Sequence, residues 1–374
     1  MDLNDLTPWL RLSLTDGIGN DAARRLLNCF GSPQAIFEQS EASLRQVVSA
    51  KQSLALQCEP LDLRFQIMRT LHWLQAAASH QGRAIWCLGD DAYPAPLLQL
   101  ADPPLMLYVQ GQVDRTLGAA LAMVGSRNPT PQGAQTAQDF ANELSAQGLC
   151  IVSGLALGID GAAHLGALRA SQQRDASHWH TVAVVGTGLD RVYPRHHQAL
   201  AQQIGAQGLI ISEYPLGAAP LAHHFPQRNR LIAALGLGCL VVEAAKQSGS
   251  LITAQLALEL GREVLAIPGS IHSPQAHGCH HLIRQGAKLV ETANDVLEEL
   301  QLDLAIATSH TTATQESSDD PLLQSMGHTP VSFDALLLRN DLDTPTLQAE
   351  LLTLELLGKI ARLPGGLFQR LNNG

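Results

Sequence analysis

The segment HHFPQRNRLIAAL (223–235) places cationic, amide and aromatic side chains together at the start of an apolar helix. Arg228 and Arg230 supply two guanidinium groups on either side of Asn229, and Phe225 and the two histidines before it add flat rings. This combination suits a single-stranded nucleic acid, because phosphates meet the cations while unstacked bases contact the rings. The alternative is a basic helix start that pairs with acidic groups of the same domain.

A second candidate for phosphate binding is Arg127, in the segment GSRNPT (125–130). It follows two small residues, Gly125 and Ser126, at the carboxyl end of a predicted strand. A guanidinium there can make a bidentate contact with a phosphate that the backbone amides of the turn already attract. The alternative is that Arg127 forms a salt bridge within its own loop.

A third candidate is the segment KQSGSLITA (246–254), in which a small turn opens an apolar helix. Free backbone N–H groups at a helix N-terminus favour an anion, and this turn adds hydroxyls and a cation. The turn is weak evidence alone and gains weight from the two basic segments. Its candidate residues are Lys246, Ser248, Gly249 and Ser250.

Glycines in two further turns permit close approach of the backbone to a ligand. Gly154 and Gly158 lie in VSGLALGIDGAAH (152–164), and Gly186 lies in VAVVGTGLD. In the first of these turns, Asp160 stands near the start of a helix, where a carboxylate caps free N–H groups. We favour this capping role over a catalytic one.

All these turns belong to one repeated pattern of an apolar run, a glycine-rich turn and a helical stretch. Helical stretches separate β-branched apolar runs at 121–125, 149–153, 182–186, 209–213, 239–243 and 263–267. Alternation of this kind predicts βαβ crossovers and a parallel sheet. We therefore predict an α/β fold with a doubly wound, Rossmann-like parallel sheet, whose carboxyl edge collects the phosphate-suited turns.

The segments on either side of this sheet predict two smaller modules. Short amphipathic helices around Gly17 and Gly19 resemble a helix-hairpin-helix element, although a two-glycine turn is equally a common connection in helical bundles. Near the other end, two helices followed by KIARL, a PGG turn and LFQRL form the winged-helix pattern. The winged module's recognition helix carries two glutamates and no basic residue before Lys359, which favours a protein-contact role over DNA reading.

We accordingly divide the chain into four parts. The helical domain, of helix-hairpin-helix or SAM-like type, covers 1–75, and the Rossmann-like domain covers 76–297. A flexible linker (298–321), rich in Ser, Thr and acidic residues, precedes the winged-helix domain at 322–374. Within the second part, a proline-rich approach at 90–114 is expected to be extended, and the polar stretch 170–180 to be a surface loop.

Bulk properties fit a cytoplasmic globular protein. The chain has 374 residues, 45% of them hydrophobic, and no apolar run long enough to cross a bilayer. The formal net charge of −10 is uneven: counted from the sequence it is −3 over 1–118, 0 over 119–296 and −7 over 297–374. A neutral middle with clustered arginines can bind a phosphate backbone locally. The six cysteines lack CxxC pairs and are expected to be reduced, and we propose no metal site.

Taken together, the motifs resemble the DNA-processing protein A family (DprA, also called Smf). The resemblance rests on GSRNP, SGLALGIDGAAH, GTGLDRVYP, SEYPLG, FPQRNR, VVEAAKQSGSLITA, GREVLAIPG and LIRQGA, which follow one another in matching order between residues 125 and 287. FPQRNR and SGSLITA are the most specific of these motifs.

The resemblance implies a protein without enzymatic activity or cofactor that binds and protects incoming single-stranded DNA. It further implies a homodimer, formed through the Rossmann-like domain, that loads the RecA recombinase in natural transformation. Arg127 and the FPQRNR cations would line the DNA pocket with the SGS turn nearby, and the family often has a basic residue at the position of Arg195.

Two enzymatic alternatives remain beside this interpretation. The first is a Rossmann-like phosphoribohydrolase acting on nucleoside monophosphates, but the PGGxGTxxE segment typical of such enzymes has only the partial equivalent EAAKQSGSLITA here. The second, a dinucleotide-dependent oxidoreductase, is weaker because no GxGxxG opens the first helix.

Overall fold

The computed structural model describes residues 3–76, 81–170, 177–302, 320–327, 330–340 and 342–371. Most of the predicted surface loop (170–180) and of the predicted linker (298–321) lies outside these residues. Six helices precede the first strand: α1 Leu3–Leu14, α2 Asn20–Phe30, α3 Pro33–Phe37, α4 Glu41–Leu44, α5 Ala50–Gln57 and α6 Leu63–Gln75.

The turn between α1 and α2 is the predicted two-glycine connection. Gly17 adopts a φ of +75°, which favours glycine, and its carbonyl accepts a hydrogen bond of 2.8 Å from Gln52 Nε2. Leucines of α1 and α2, among them Leu10 and Leu26, are fully buried in the same hydrophobic cluster. The six helices therefore pack as one helical unit.

A nine-stranded sheet follows within the described residues. Its strands are β1 Gly82–Cys87, β2 Met106–Gly111, β3 Ala120–Val124, β4 Cys150–Ser153, β5 Thr181–Val184, β6 Leu209–Ser212, β7 Gly238–Val241, β8 Glu263–Ala266 and β9 Lys288–Leu289. They lie in the order β1-β2-β6-β5-β4-β3-β7-β8-β9, and all neighbours from β6 to β9 are parallel. The six predicted strands and the parallel sheet are confirmed.

The proline-rich approach differs from the expectation of a simple extended connection. Part of it forms β2, which pairs antiparallel with both β1 and β6 and so joins the sheet. Prolines confine the rest to loops and a short 3-10 turn, Ala95–Gln99, but Met106–Gly111 has no proline and is almost entirely buried. Its apolar run is therefore free to pair at the edge of the parallel strands.

Helices cover both faces of the sheet, as a doubly wound fold requires. They are α7 Pro131–Ala146, α8 Ile159–Ala170, α9 Gln198–Gln207, α10 His224–Leu235, α11 Ser250–Glu259, α12 His277–Arg284 and α13 Ala293–Glu299. The apolar residues of α7, α8, α9 and α13 pack on one face, and those of α10, α11 and α12 on the other. Strands β3 to β7 are buried on both sides and so read as continuous apolar runs in the sequence.

The predicted winged-helix module is confirmed at the C-terminal end. It contains α14 Pro321–Met326, β10 Val331–Ser332, α15 Phe333–Arg339, α16 Thr344–Leu356, β11 Ile360–Leu363 and β12 Leu367–Arg370. The strands form an antiparallel sheet in the order β10-β12-β11. Gly365 and Gly366 form the turn of the wing with positive φ angles of 83° and 72°. Among the described residues of the whole chain, no helix has the length and apolar character to cross a membrane.

Candidate functional site

A groove lies where the strand order reverses. β3 is followed along the chain by β4 on one side, while β7 joins its other side, so the loops after β3 and β7 diverge and leave a crevice. A groove of about 430 Å³ occupies this crevice. It brings together nine residues predicted from the sequence: Gly125, Ser126, Arg127, Phe225, Arg228, Asn229, Ser248, Gly249 and Ser250.

Arg127 is the exposed cation of this groove. Its guanidinium has no hydrogen-bond or ion-pair partner within the described part of the chain, so the alternative of a salt bridge in its loop finds no support. The guanidinium carbon lies 5.9 Å from the centre of the Phe225 ring. A cation and an aromatic face thus stand side by side at the rim.

The loop that carries Arg127 is held by Glu243, two residues after the end of β7. Both carboxylate oxygens of Glu243 accept hydrogen bonds from Thr130, one from its backbone N–H at 2.9 Å and one from its hydroxyl at 2.7 Å. The Ser126 N–H donates to the Glu243 backbone carbonyl at 2.6 Å. These bonds fix both ends of the segment that carries Arg127.

Glu243 also occupies the N-terminus of α7, so this helix end is not free to bind an anion from solution. Thr130 caps α7 by accepting from the Gly133 N–H, and a Cβ on Gly133 would collide with the Glu243 carboxylate. The N-terminus of α7 therefore already holds a carboxyl group of the protein, that of Glu243. Burial raises the pKa of this carboxyl group. A nucleotide phosphate in the usual Rossmann position would have to displace it.

The SGS turn opens the other helix start at the groove, that of α11. Gly249 is the N-cap residue and provides no side-chain cap. The hydroxyls of Ser248 and Ser250 lie 2.6 Å apart, and both residues line the groove. The Ser250 N–H already donates to the Ser248 hydroxyl, so the two hydroxyls and the positive end of α11 are the features suited to an anion in the groove that Arg127 also lines. Lys246 is exposed but does not belong to the residues that line it.

Arg228 lines the groove from within the protein. It is only 3% exposed, and its Nη1 atom donates to the carbonyl of Gly154 at 2.7 Å and to that of Val184. Burial lowers its pKa to about 10. Its guanidinium joins the end of β4 to β5 and so positions the loops beneath the groove, while its contact with DNA stays a prediction.

Arg230 points away from the groove, which corrects the expectation that it lines the pocket. Its side chain forms an ion pair with Glu213, and both side chains are largely buried. Residues two positions apart on a helix point to different sides, so Arg228 contacts the Gly154 carbonyl beneath the groove while Arg230 contacts Glu213. For Arg230 the alternative interpretation, an arginine paired with an acid of its own domain, is the one that the structure supports.

The three predicted glycines support close packing. Gly158 has a φ of +82°, and a Cβ there would collide with the Ser126 carbonyl, so the second turn lies directly against the first. A Cβ on Gly154 would lie 2.6 Å from Arg228 Nη2, and one on Gly186 would lie 3.2 Å from the Phe225 ring. Their DNA contact stays a prediction, as does that of Arg195, which is exposed in the 3-10 turn Arg195–His197 outside the groove.

Asp160 is buried in the first turn of α8, where its carboxylate accepts from the Ala156 N–H at 3.3 Å. Burial raises its pKa, and the neighbouring Arg228 acts in the opposite direction. This position agrees with the favoured structural role. No histidine, lysine or cysteine is among the described residues that line the groove. Nor does any described group of three or more His, Cys, Asp or Glu side chains have an arrangement suited to a metal ion.

Sequence reasoning missed three further residues at or beside the groove. Asn128 and Gln275 also line the groove, and Gln275 Nε2 donates to the Asn128 carbonyl at 3.2 Å. Tyr193 lies 5.5 Å from Phe225 between ring centres. Of these, only Tyr193 carried a signal, since it is an aromatic residue shortly after the third glycine turn.

Comparison with known proteins connects this groove to a family. The family model described as DNA recombination-mediator protein A matches residues 84–301, which contain the whole sheet from β2 to β9 and the groove. The chain belongs to this family. A second family model, the DprA winged helix domain, matches residues 307–366.

Relatives in the DNA recombination-mediator protein A family cover most of the chain. Protein Smf of Escherichia coli is 37% identical over 97% of this chain and 95% of its own length. DNA processing protein DprA of Streptococcus pneumoniae is 47% identical over 57% of this chain and 72% of its own length. The predicted resemblance to the DprA/Smf family is confirmed.

Two solved structures of DprA proteins share the fold. The S. pneumoniae structure matches with a TM-score of 0.64 and 36% identity, covering 80% of this chain and 98% of its own. The Helicobacter pylori structure, which is described as giving insight into a unique single-stranded DNA binding mode of that protein, matches with a TM-score of 0.51 and 30% identity. It covers 58% of this chain and 95% of its own.

Proposed function

We propose that this chain is a recombination mediator that binds and protects single-stranded DNA along the groove between the loops after β3 and β7. The observation that carries the proposal is the arrangement of Arg127, Phe225 and the SGS turn around one open groove. A relative from H. pylori whose described subject is single-stranded DNA binding supports it.

The groove can hold a strand through its backbone. Arg127 reaches one phosphate as a planar fork, and the start of α11 offers hydroxyls and a positive helix end to the same or a neighbouring phosphate. Phe225 offers a ring to a base. Because these groups recognise phosphates and aromatic faces, the binding is expected to be tolerant of sequence.

We further propose that the groove binds DNA without enzymatic activity and without a cofactor. Its serine hydroxyls have no side-chain base among the described lining residues other than Asp160, whose buried carboxylate accepts from the Ala156 N–H and lies beside Arg228. Glu243 fills the helix start at which a nucleoside monophosphate would place its phosphate. Incubation with nucleoside monophosphates should release no free base; steady release would favour a phosphoribohydrolase.

Binding is tested by fluorescence anisotropy of a labelled oligothymidylate, without nucleotide, across a range of salt concentrations. We expect the logarithm of the affinity to fall linearly with the logarithm of salt, by ~0.7 for each phosphate neutralised. One or two phosphates in the groove predict a slope of about −0.7 to −1.4. Absence of binding at low salt would contradict the proposal.

The mediator role is the finer part of the proposal: the protein loads RecA onto incoming strands in natural transformation, in the cytoplasm. It is tested by RecA nucleation on DNA coated with single-strand-binding protein. Addition of this chain should shorten the lag before filaments grow. Normal DNA binding with an unchanged lag would contradict the RecA-loading role but not the proposal that the chain binds DNA.

We also propose a homodimer formed through the Rossmann-like domain. Strand β9 is an edge of the sheet, and Leu289 on it is half exposed, which leaves backbone and apolar surface for a second copy. Sedimentation should show a dimer that Leu289→Lys weakens. Leu61→Lys, at a fully exposed leucine of the helical unit, is the control. A monomeric wild-type protein would contradict this proposal.

The four-part division at 1–75, 76–297, 298–321 and 322–374 is retained as part of this proposal, with a protein-contact role for the last part. Its helix α16 exposes Leu352 and Leu356 one turn apart and has no basic residue. Exposed leucines beside the acidic Glu355, with no basic residue, are unsuited to a DNA groove. Replacing both leucines by serine in the full chain should leave affinity for DNA unchanged.

A further inference from the structure

A second, smaller cleft adjoins the groove on the far side of Phe225. Its volume is about 150 Å³, or roughly five water molecules at ~30 Å³ each. Leu157, Tyr193, Pro194 and Phe225 form its apolar walls. Arg127 and Phe225 line both cavities, so the cleft continues the groove rather than opening on a separate surface.

The walls of the cleft are exposed although they are apolar. Tyr193 is 46% exposed and Leu157 is 42% exposed. The Tyr193 ring lies 5.5 Å from that of Phe225 with the two planes inclined at 38°, so the two rings form one concave aromatic surface. Exposed aromatic surface beside a cation suggests a flat, partly apolar ligand.

Continuity with the groove identifies the ligand. A phosphate held by Arg127 lies at the boundary between the two cavities, so the base of that nucleotide or of its neighbour comes within reach of the cleft. The cleft offers aromatic and aliphatic surface, which suits a base ring and not a phosphate. An unstacked base in single-stranded DNA gains most from such a surface.

We propose that the Tyr193 cleft, defined by Leu157, Tyr193, Pro194 and Phe225, receives one unstacked base of the bound strand. The inference rests on the proposed function, since it assigns a base-binding site next to the phosphate-binding groove. It makes Tyr193 a second stacking residue beside Phe225. The strand then bends at Arg127, with its backbone in the groove and one base turned into the cleft.

The test compares Tyr193→Leu and Tyr193→Phe with the wild-type full chain. Leucine keeps an apolar wall but removes the ring, whereas phenylalanine keeps the ring. On oligothymidylate, Tyr193→Leu should bind about 5- to 150-fold more weakly, since stacking of one base is worth ~1–3 kcal/mol. Tyr193→Phe should bind as the wild type does. Phe65→Leu, at an exposed ring on α6, is the matched control and should have no effect.

Two further measurements separate stacking from other causes. An abasic oligonucleotide of equal length keeps the phosphates, so wild type and Tyr193→Leu should bind it equally. The salt slope on oligothymidylate should be unchanged in Tyr193→Leu because no charge is lost. An equal loss on the abasic strand, or unchanged affinity of Tyr193→Leu for oligothymidylate, overturns the base site. A wild-type protein that binds neither strand refutes the proposed function instead.

Discussion

Replacing Arg127 and Arg228 one at a time should separate DNA binding from folding. Both arginines line the groove, but Arg127 is exposed and has no polar partner among the described residues, whereas Arg228 is buried and bonded to two carbonyls. The sequence treats them as equivalent cations. The structure predicts that Arg127→Ala impairs binding alone and that Arg228→Ala impairs stability first.

The magnitudes follow from the contacts. A charge-assisted hydrogen bond to one phosphate is worth ~1.5–3 kcal/mol, so Arg127→Ala should weaken binding by about 10- to 150-fold and reduce the salt slope by ~0.7. Its free energy of unfolding should change by less than ~0.5 kcal/mol. Arg228→Ala leaves two buried carbonyls without their donor and Asp160 without its nearby cation, which should cost about 3–5 kcal/mol.

Urea denaturation and anisotropy titrations on the same preparations provide the assay. Arg127→Lys is the matched control: it keeps the charge and the salt slope but loses the planar fork, so it should bind more weakly than wild type and better than Arg127→Ala. Strong destabilisation by Arg127→Ala would refute the reasoning. So would an Arg228→Ala protein of normal stability, because the buried bonds would then contribute little.

Three other outcomes follow from groups inside or beneath the surface of the Rossmann-like domain. Burial lowers the pKa of His164 to about 3, so the stability gained by burying the neutral ring is complete above pH 6.5 and is lost as pH falls toward 3. Urea denaturation at pH 5 should show that the free energy of unfolding of the wild type has fallen by about 2 kcal/mol more than that of His164→Gln. Gly158→Ala should melt at a lower temperature and bind DNA poorly, because residue 158 has a positive φ and the Ser126 carbonyl blocks a Cβ there. Gly249→Ala is the control for thermal melting: residue 249 has a negative φ and open space for a Cβ, so this variant should fold normally. Arg230→Ala should cost about 3–5 kcal/mol by stranding Glu213 in the interior, yet the folded fraction should bind oligothymidylate with wild-type affinity; a selective loss of binding would return Arg230 to the groove.

Much of the architecture was predictable because a parallel sheet leaves a direct pattern in the chain. Strands such as β3 and β7 are buried on both faces, so each appears as an uninterrupted apolar run followed by a small-residue turn. The antiparallel strand β2 was missed since its apolar run lies among prolines that predict a connection. Its pairing with β6 depends on a strand about 100 residues further along.

The candidate site was predicted in its parts but not in the roles of its arginines. GSR, FPQRNR and SGS are local motifs, and each of them contributes residues to one groove. Whether a side chain on α10 points into that groove depends on the rotation of the helix against the sheet. That rotation places Arg228 under the groove floor and turns Arg230 toward Glu213.

The sequence by itself determined the alternation of strands and helices, the glycine-rich turns at the strand ends and the presence of cations beside aromatic rings, because these depend on neighbouring residues. Only the tertiary structure decided which cation stays free, which carboxylate occupies the start of α7, and that Tyr193 meets Phe225, which lies 32 positions further along the chain. The physical reason is that burial and charge pairing act through space. A guanidinium is available to a phosphate only where packing has left it without a closer partner, as at Arg127.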